Sequence, residues 1–550
     1  MYCYNIPNGS QFDYVIVGGG SAGCVLANRL SGRKEDQVLL IEAGDRDDRL
    51  DKTGLSVRIP LFVANLVTDR RATWSFESVP QTHQNGRKHH WTFGKILGGS
   101  GSLNGNLYVR GNPIEYDNWR RNGCVGWGYE DLLPFFAKIE DRSTFNAFVR
   151  RKGRGIRVTR LSKFDPLSEA FLAATRYCGY RSVSDYNDGV NYEGASYLQL
   201  STRNGLRFNS SREFVHPIVR RPNLCVLLGA TASKIVIQSK AATAVEFDCG
   251  NQRRSVYARR EVIVAAGPIH SPKLLEQSGV GDASKIRQFV NVIHHLPGVG
   301  ENLRDHCTVR VTWDAAQTIT INDVQRSAPK MLIEALRFAC FRKGLLSISS
   351  STVRAVIRSD PAIPQPDLNL RLQLRSGNQL YGKSRNYGSD KQSGFSIGVT
   401  VLQPSSVGRV HIQSAHHSSS PQIDPNYLSD EQDGQLLVKG VHAARRLAAA
   451  PSFRPFIRNE TRPGTAVQTD EEVMQFVRDT CATSWHMVGT CKMGVDSMAV
   501  VDPELRVRGL HKLRVVDSSI FPTIPSSNPN APTLATAEKG AAMILRAAKC

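Results

Sequence analysis

The chain has 550 residues, 41% of them hydrophobic and 22% charged, with 45 glycines and 26 prolines. This balance excludes a long disordered or low-complexity protein, and the length calls for two or more domains. Lysine and arginine outnumber aspartate and glutamate 70 to 49, a net charge of +21. The basic residues are dispersed, as at Arg70-Arg71, Arg120-Arg121 and Arg259-Arg260, and the densest run, Arg150 to Arg157, has no interleaved aromatic residue. The pattern speaks for a solvated basic surface and against a nucleic-acid binder; weak attraction to anionic lipid or anionic substrates is the second reading.

The first residues, Met1-Tyr-Cys-Tyr-Asn-Ile-Pro7, have neither a basic region nor an apolar segment, and no apolar run approaches the ~20 residues that span a bilayer. A cytoplasmic protein is expected, with room for peripheral membrane contact. The 11 cysteines have no regular spacing, so they read as scattered thiols and not as a disulfide framework. His89-His90, His294-His295 and His416-His417 are adjacent pairs. Neighbouring side chains do not converge on one face, so these read as solvent-facing loop histidines, and no metal site is expected.

Phe12 to Val17 is a β-rich run that leads directly into Gly18-Gly-Gly-Ser-Ala-Gly23. Helical spacing follows from Cys24 to Leu30, and a second strand from Gln37 to Ile41 ends at Glu42, 24 residues after Gly18. Each piece has a task in a dinucleotide site. Gly18 permits the tight turn, Gly20 lets backbone approach a pyrophosphate, and Gly23 lets helix pack on strand. Phosphates sit on free amides at the helix start, where Ser21 stands, and Glu42 accepts ribose hydroxyls. Gly18, Gly20, Ser21, Gly23 and Glu42 are therefore cofactor-binding candidates; by themselves they leave FAD and NAD both open.

Gly94 to Gly111 is a glycine- and serine-dense loop that offers unhindered amides to a phosphate or a flat ring. Phe395–Leu402 and Gly408–Gln413 alternate like strands. Thr483-Ser-Trp-His486-Met-Val-Gly sets a histidine beside an aromatic residue and a glycine turn. A strand-like Leu513 to Asp517 follows, then Asn528-Pro-Asn-Ala-Pro and a helix from Leu534 through Leu545 with a small-residue face.

Taken in this order, with Val262 to Gly267, Ser278-Gly-Val-Gly281 and Gly298 to His306 between them, these clusters resemble the glucose–methanol–choline (GMC) oxidoreductase family, in its choline-dehydrogenase-like and alcohol dehydrogenase branch. The resemblance spans Asp13 to Ile544 and implies FAD. It also implies an α/β, Rossmann-like FAD domain from 11–160, 222–305 and 481–550. A second, α+β substrate domain with a mostly antiparallel sheet would come from 161–221 and 306–480. His486 falls at the family's catalytic histidine and Asn528 at its second histidine or asparagine; Asn530 competes for the latter place. Gly98, Gly99 and Asn104 would lie against flavin and pyrophosphate, Asp517 near the ribitol–phosphate arm. Leu103 stands where some members carry a histidine covalently joined to the flavin; leucine has no nucleophile, so FAD is expected to be non-covalent. Departures from the family pattern are Phe93, Trp485 and Met487. His306 reads as structural.

The expected reaction is oxidation of an alcohol CH–OH, with hydride leaving to the flavin and His486 taking the hydroxyl proton. Asn528 would orient the substrate oxygen without titrating. The electron acceptor is a quinone, oxygen or another carrier. The competing reading is a lyase of the same family that cleaves cyanohydrins without net redox.

Overall fold

A computed structural model of the chain describes residues 2–142, 155–377 and 389–549. Arg150 to Arg154 of the basic run, and Cys550, lie outside the described residues.

The β-branched run at the start of the chain forms β1 (Ser10–Val17), in which Tyr14 through Val17 are buried. Such continuous burial is what a strand covered on both faces requires. Beside β1 lies β2 (Val38–Ile41), and on its other edge Gln252–Val264, both parallel to it. The sheet continues through Leu224–Leu227 and Tyr2–Cys3 on one side, and through antiparallel Ala241–Cys249 and Ala230–Gln238 on the other. Leu513–Val515 adds to Gln252–Val264 in parallel, which returns the end of the chain to its first sheet.

Helix α1 (Ser21–Leu30) follows the glycine turn and packs against the C-terminal helix Asn530–Ala547. The C-terminal helix begins four residues before the expected Leu534. Pro532 sits in its first turn, where no intrahelical N–H bond is needed, so the proline does not delay the start.

A second sheet takes the order Ile457–Arg462, β3 (Cys307–Ala315), β5 (Gly394–Val401), β4 (Leu368–Gln373), Ser351–Ile357, Gly194–Tyr197, and Ala482–Thr483 pairs with β3. Every pairing in it is antiparallel. Its two faces differ. Val309, Val311, Leu370, Leu372, Ile397 and Val399 are fully buried and turn toward helix Glu431–Ala448. Gly440 of that helix stands so close that an added Cβ would lie 2.1 Å from Val399 Cγ1. The opposite face carries Thr308, Arg310, Asn369, Arg371, Gln373 and Gly398, the alternate residues of the same strands.

Two expectations need correction. His89 is buried, with Nε2 2.5 Å from Gln84 Oε1, because the chain enters strand His90–Gly94 at that point instead of looping through solvent. Cys307 and Cys481 form a disulfide with Cα atoms 6.1 Å apart. Their separation of 174 residues left no local spacing to signal it; eight other cysteines are free thiols.

Candidate active site

The glycine turn after β1 is held by backbone contacts that leave no room for side chains. Gly18 has φ +103°, and a Cβ there would meet Ala265 O at 2.5 Å. A Cβ on Gly23 would sit 1.9 Å from Gly18 O. The Gly98-Gly99 loop folds onto this turn: Gly98 N donates to Gly19 O at 2.7 Å, and a Cβ on Gly99 would lie 2.8 Å from Gly20 Cα. Two bare backbone loops thus face each other.

Around them stand the other predicted residues. Glu42 accepts from Gly19 N (2.8 Å) and Gly44 N (2.7 Å), and its burial pushes the carboxyl up to about 7. Ser21 Oγ donates to Asn530 Oδ1 at 2.6 Å. Asn104 Oδ1 accepts from Arg207 Nη1 (2.8 Å) and Asn106 N (2.9 Å). Asp517 accepts from Gly267 N (2.9 Å), Ser271 Oγ (2.6 Å) and Ser519 N (2.7 Å). One cavity of about 850 Å³ is lined by Gly18, Gly20, Ser21, Glu42, Gly99, Asn104 and Asp517, and by His486 and Asn528 as well. Gly23 and Gly98 do not line it. The volume and the exposed amides of the paired loops fit a dinucleotide.

At the other end of the cavity a turn presents His486. Its carrier is Asp305, fully buried, which accepts from His486 N (2.8 Å), Thr483 Oγ1 (2.5 Å) and the Tyr427 hydroxyl. Burial lifts the Asp305 carboxyl to about 6. Trp485, just before the histidine, takes the left-handed φ of +58°, and Thr483 Oγ1 accepts from its N–H at 2.8 Å. The side chain of Asn528 reaches His486 Nε2 through Nδ2 at 2.8 Å. Asn530 lines the same cavity but is engaged with Ser21.

His486 Nδ1 lies 2.9 Å from His306 Nδ1, and His306 Nε2 lies 2.9 Å from Leu402 O. A carbonyl only accepts, so His306 Nε2 carries a proton and donates it. Burial lowers the His306 imidazole to about 4. It is therefore neutral near pH 7, and its Nδ1 is a bare acceptor. His486 Nδ1 must then donate. Burial, followed by His306 and the Arg371 charge, holds His486 well below its usual 6.5, so His486 is neutral and Nε2 keeps its lone pair. The order of donation is Asn528 amide to His486 Nε2, His486 Nδ1 to His306 Nδ1, His306 Nε2 to Leu402 O.

Several of these residues escaped the sequence reading. His306 reads as structural and Asp305 carries no reading in the sequence; both end the Asn302-Leu-Arg-Asp-His306 run, which gives no local sign of their contacts with His486. Arg310, Arg371 and Arg375 also line the cavity; the alternation of Leu368-Asn-Leu-Arg-Leu-Gln373 places Arg371 on the polar face. Among the described residues one group could gather around a metal ion, Asp47, Asp48 and His216. Asp47 already accepts from Asn209, Ser211 and His216.

Residues 12–308 match the N-terminal part of the GMC oxidoreductase family and residues 404–537 its C-terminal part. The chain is 35% identical to an alcohol dehydrogenase [acceptor] of Pseudomonas putida, over 98% of this chain and 96% of that one. It is 36% identical to the mitochondrial choline dehydrogenase of Mus musculus, covering 97% and 89%. Among solved structures, pyridoxine 4-oxidase from Mesorbium loti superposes with a TM-score of 0.84 at 28% identity, covering 96% and 98%. With its paired glycine loops, its two sheets and this likeness along the whole length, the chain belongs to the GMC oxidoreductase family and is an FAD-dependent oxidoreductase.

Proposed function

We propose that the protein oxidises the CH–OH group of an alcohol, with His486 as the base. The observation that carries this reading is the donation order from Asn528 to Leu402, in which His486 Nε2 is an unprotonated acceptor at the cavity; the substrate hydroxyl takes the place of the Asn528 amide on Nε2 and frees that amide for the substrate oxygen. FAD, when bound, supplies the acceptor for the hydride that leaves the carbinol carbon. The hydroxyl proton passes to Nε2, and a carbonyl product remains. A depressed imidazole pKa keeps the base unprotonated at neutral pH, and Asn528 Nδ2 is placed to donate to the substrate oxygen as charge grows there. Gly18, Gly20, Ser21, Glu42, Gly99 and Asn104 hold the dinucleotide in this reading, and Asp517 orders the loops beside it.

His486→Ala tests the assignment. FAD should stay bound while anaerobic flavin reduction by alcohols slows by about two to four orders of magnitude; near-normal reduction defeats the role. If no alcohol bleaches the wild-type flavin while a cyanohydrin is cleaved, the lyase reading replaces oxidation. Leu103 lines the cavity without a nucleophile, so denaturation should release all the flavin into solution; flavin retained on the precipitated chain contradicts non-covalent binding.

A further inference from the structure

The part of the cavity wall built by the second sheet is strongly cationic. Arg310 on β3 and Arg371 on β4 both pair with Gly398 of the central strand β5, one from each side. Register partners in antiparallel strands share a face, so both side chains rise from the same face as the cavity, separated by two strand spacings, about 10 Å. Between their strands Gly398 contributes no side chain, and a Cβ there would meet Gln373 Nε2 only at 3.6 Å. Arg375 follows Arg371 at the next but one alternate position and lines the same cavity. Arg310 Nε donates to Gln373 Oε1 at 3.2 Å, which orients it along the sheet.

Carboxylates are placed differently. Among the described residues the acids lining the cavity are Glu42, Asp248 and Asp517. All three belong to the first sheet or the loops that follow its strands, at the dinucleotide end. Among the described residues lining the cavity, the second sheet and the residues that follow it contribute guanidinium groups and no acid. The charge of Arg371 is also felt at both His486 and His306, which places it at the reacting end.

We infer that the alcohol oxidised here carries an oxyanion, a carboxylate or a phosphate, which the Arg310–Arg371–Arg375 face receives while the hydroxyl meets His486. This rests on the alcohol-oxidising reading above and specifies its substrate class. Guanidinium groups match such anions through paired N–H donors, and a quaternary ammonium would meet only like charge on this face.

The test separates anion recognition from oxidation. Flavin-absorbance titrations of the FAD-loaded protein compare butanoate and butyl phosphate with butanamide, the neutral isostere of butanoate, at low salt. At least one of the two anions should bind about tenfold or more tightly than the amide, and the advantage should fall away in Arg371→Gln and shrink in Arg310→Gln. Whichever anion is favoured identifies the group. Equal binding of anions and amide overturns the inference, as does an advantage that both variants retain. The wild-type comparison stands even if a variant misfolds. In a second arm, ω-hydroxy acids and matched diols are compared as flavin reductants. Diols as effective as hydroxy acids overturn the inference but leave alcohol oxidation intact. Tight anion binding with no reduction by any alcohol leaves the anion site standing and removes the oxidation reading.

Discussion

In the proposed mechanism His306 would act on the substrate only through the ring of His486, which makes it a positioning residue with a distinctive signature. Its Nδ1 is the acceptor that fixes the proton on His486 Nδ1, 2.9 Å away, and so keeps Nε2 unprotonated. His306→Ala removes that acceptor and one cause of the depressed His486 pKa. The limiting rate of flavin reduction should fall on the order of tenfold to a hundredfold. His306→Asn, whose Oδ1 can accept, should recover part of it. With His486 as the proposed base and its imidazole held well below 6.5 by burial, the reductive rate should be flat from neutral pH into that acidic range. In His306→Ala the acid limb should move up toward the ordinary histidine value of about 6.5. A wild-type rate already falling below pH 7 contradicts the neutral, depressed His486. The two histidines were unequally legible in sequence. His486 stands in a dense local motif, whereas His306 gains its role from a contact across 180 residues that no local pattern encodes.

At the scale of elements the sequence spoke most clearly where one residue type is compulsory. The turn Gly18 to Gly23 is legible in sequence because Gly18 and Gly23 answer backbone contacts, down to the 1.9 Å that a Gly23 Cβ would leave to Gly18 O. Gly23→Ala should therefore force α1 off the turn and yield protein without flavin, measured by the visible absorbance of the purified chain; a fully yellow variant would contradict this packing. Gly440 carried no comparable signal, since a single glycine in a helix also reads as mere tolerance. Its need arises from β5, where Val399 Cγ1 waits 2.1 Å from the position of an added Cβ. Gly440→Ala should lower stability by about 1–3 kcal/mol through overpacking, read in a denaturant titration, despite alanine's better helix propensity. The polar face of the second sheet was hidden for a related reason: alternation shows that a strand has two faces, but not that the polar one meets a cavity instead of water. The same limit applies to His89, which is buried against Gln84 while its neighbour His90 is half-buried in a strand with Nε2 3.1 Å from Ser75 Oγ.

For the molecule as a whole, the charge of +21 invites a test of membrane contact at one exposed surface. No helix among the described residues is long and apolar enough to cross a membrane. Helix Ala328–Phe341, however, exposes Leu332, Ile333, Leu336 and Phe341, each more than half accessible. Leu332, Ile333 and Leu336 share one stripe, at helical spacings of one, three and four. Exposed Arg337, Arg342 and Lys343 border this apolar surface, the arrangement by which an amphipathic helix settles into an anionic bilayer. The helix is also framed by cavity-lining residues, Ile321 and Gln325 before it and Ser349 to Ser351 after it. Docking there would bring the cavity wall to the lipid surface, within reach of a lipid-soluble electron acceptor. The protein should therefore sediment with vesicles containing phosphatidylserine and much less with purely zwitterionic ones, and salt should weaken the association as surface attraction is screened. Leu336→Glu, on the exposed face, should reduce sedimentation several-fold while flavin content and reduction by a soluble alcohol stay unchanged. Equal sedimentation of the variant would transfer the attraction to the dispersed basic surface, and no sedimentation of either protein would rule out the membrane contact.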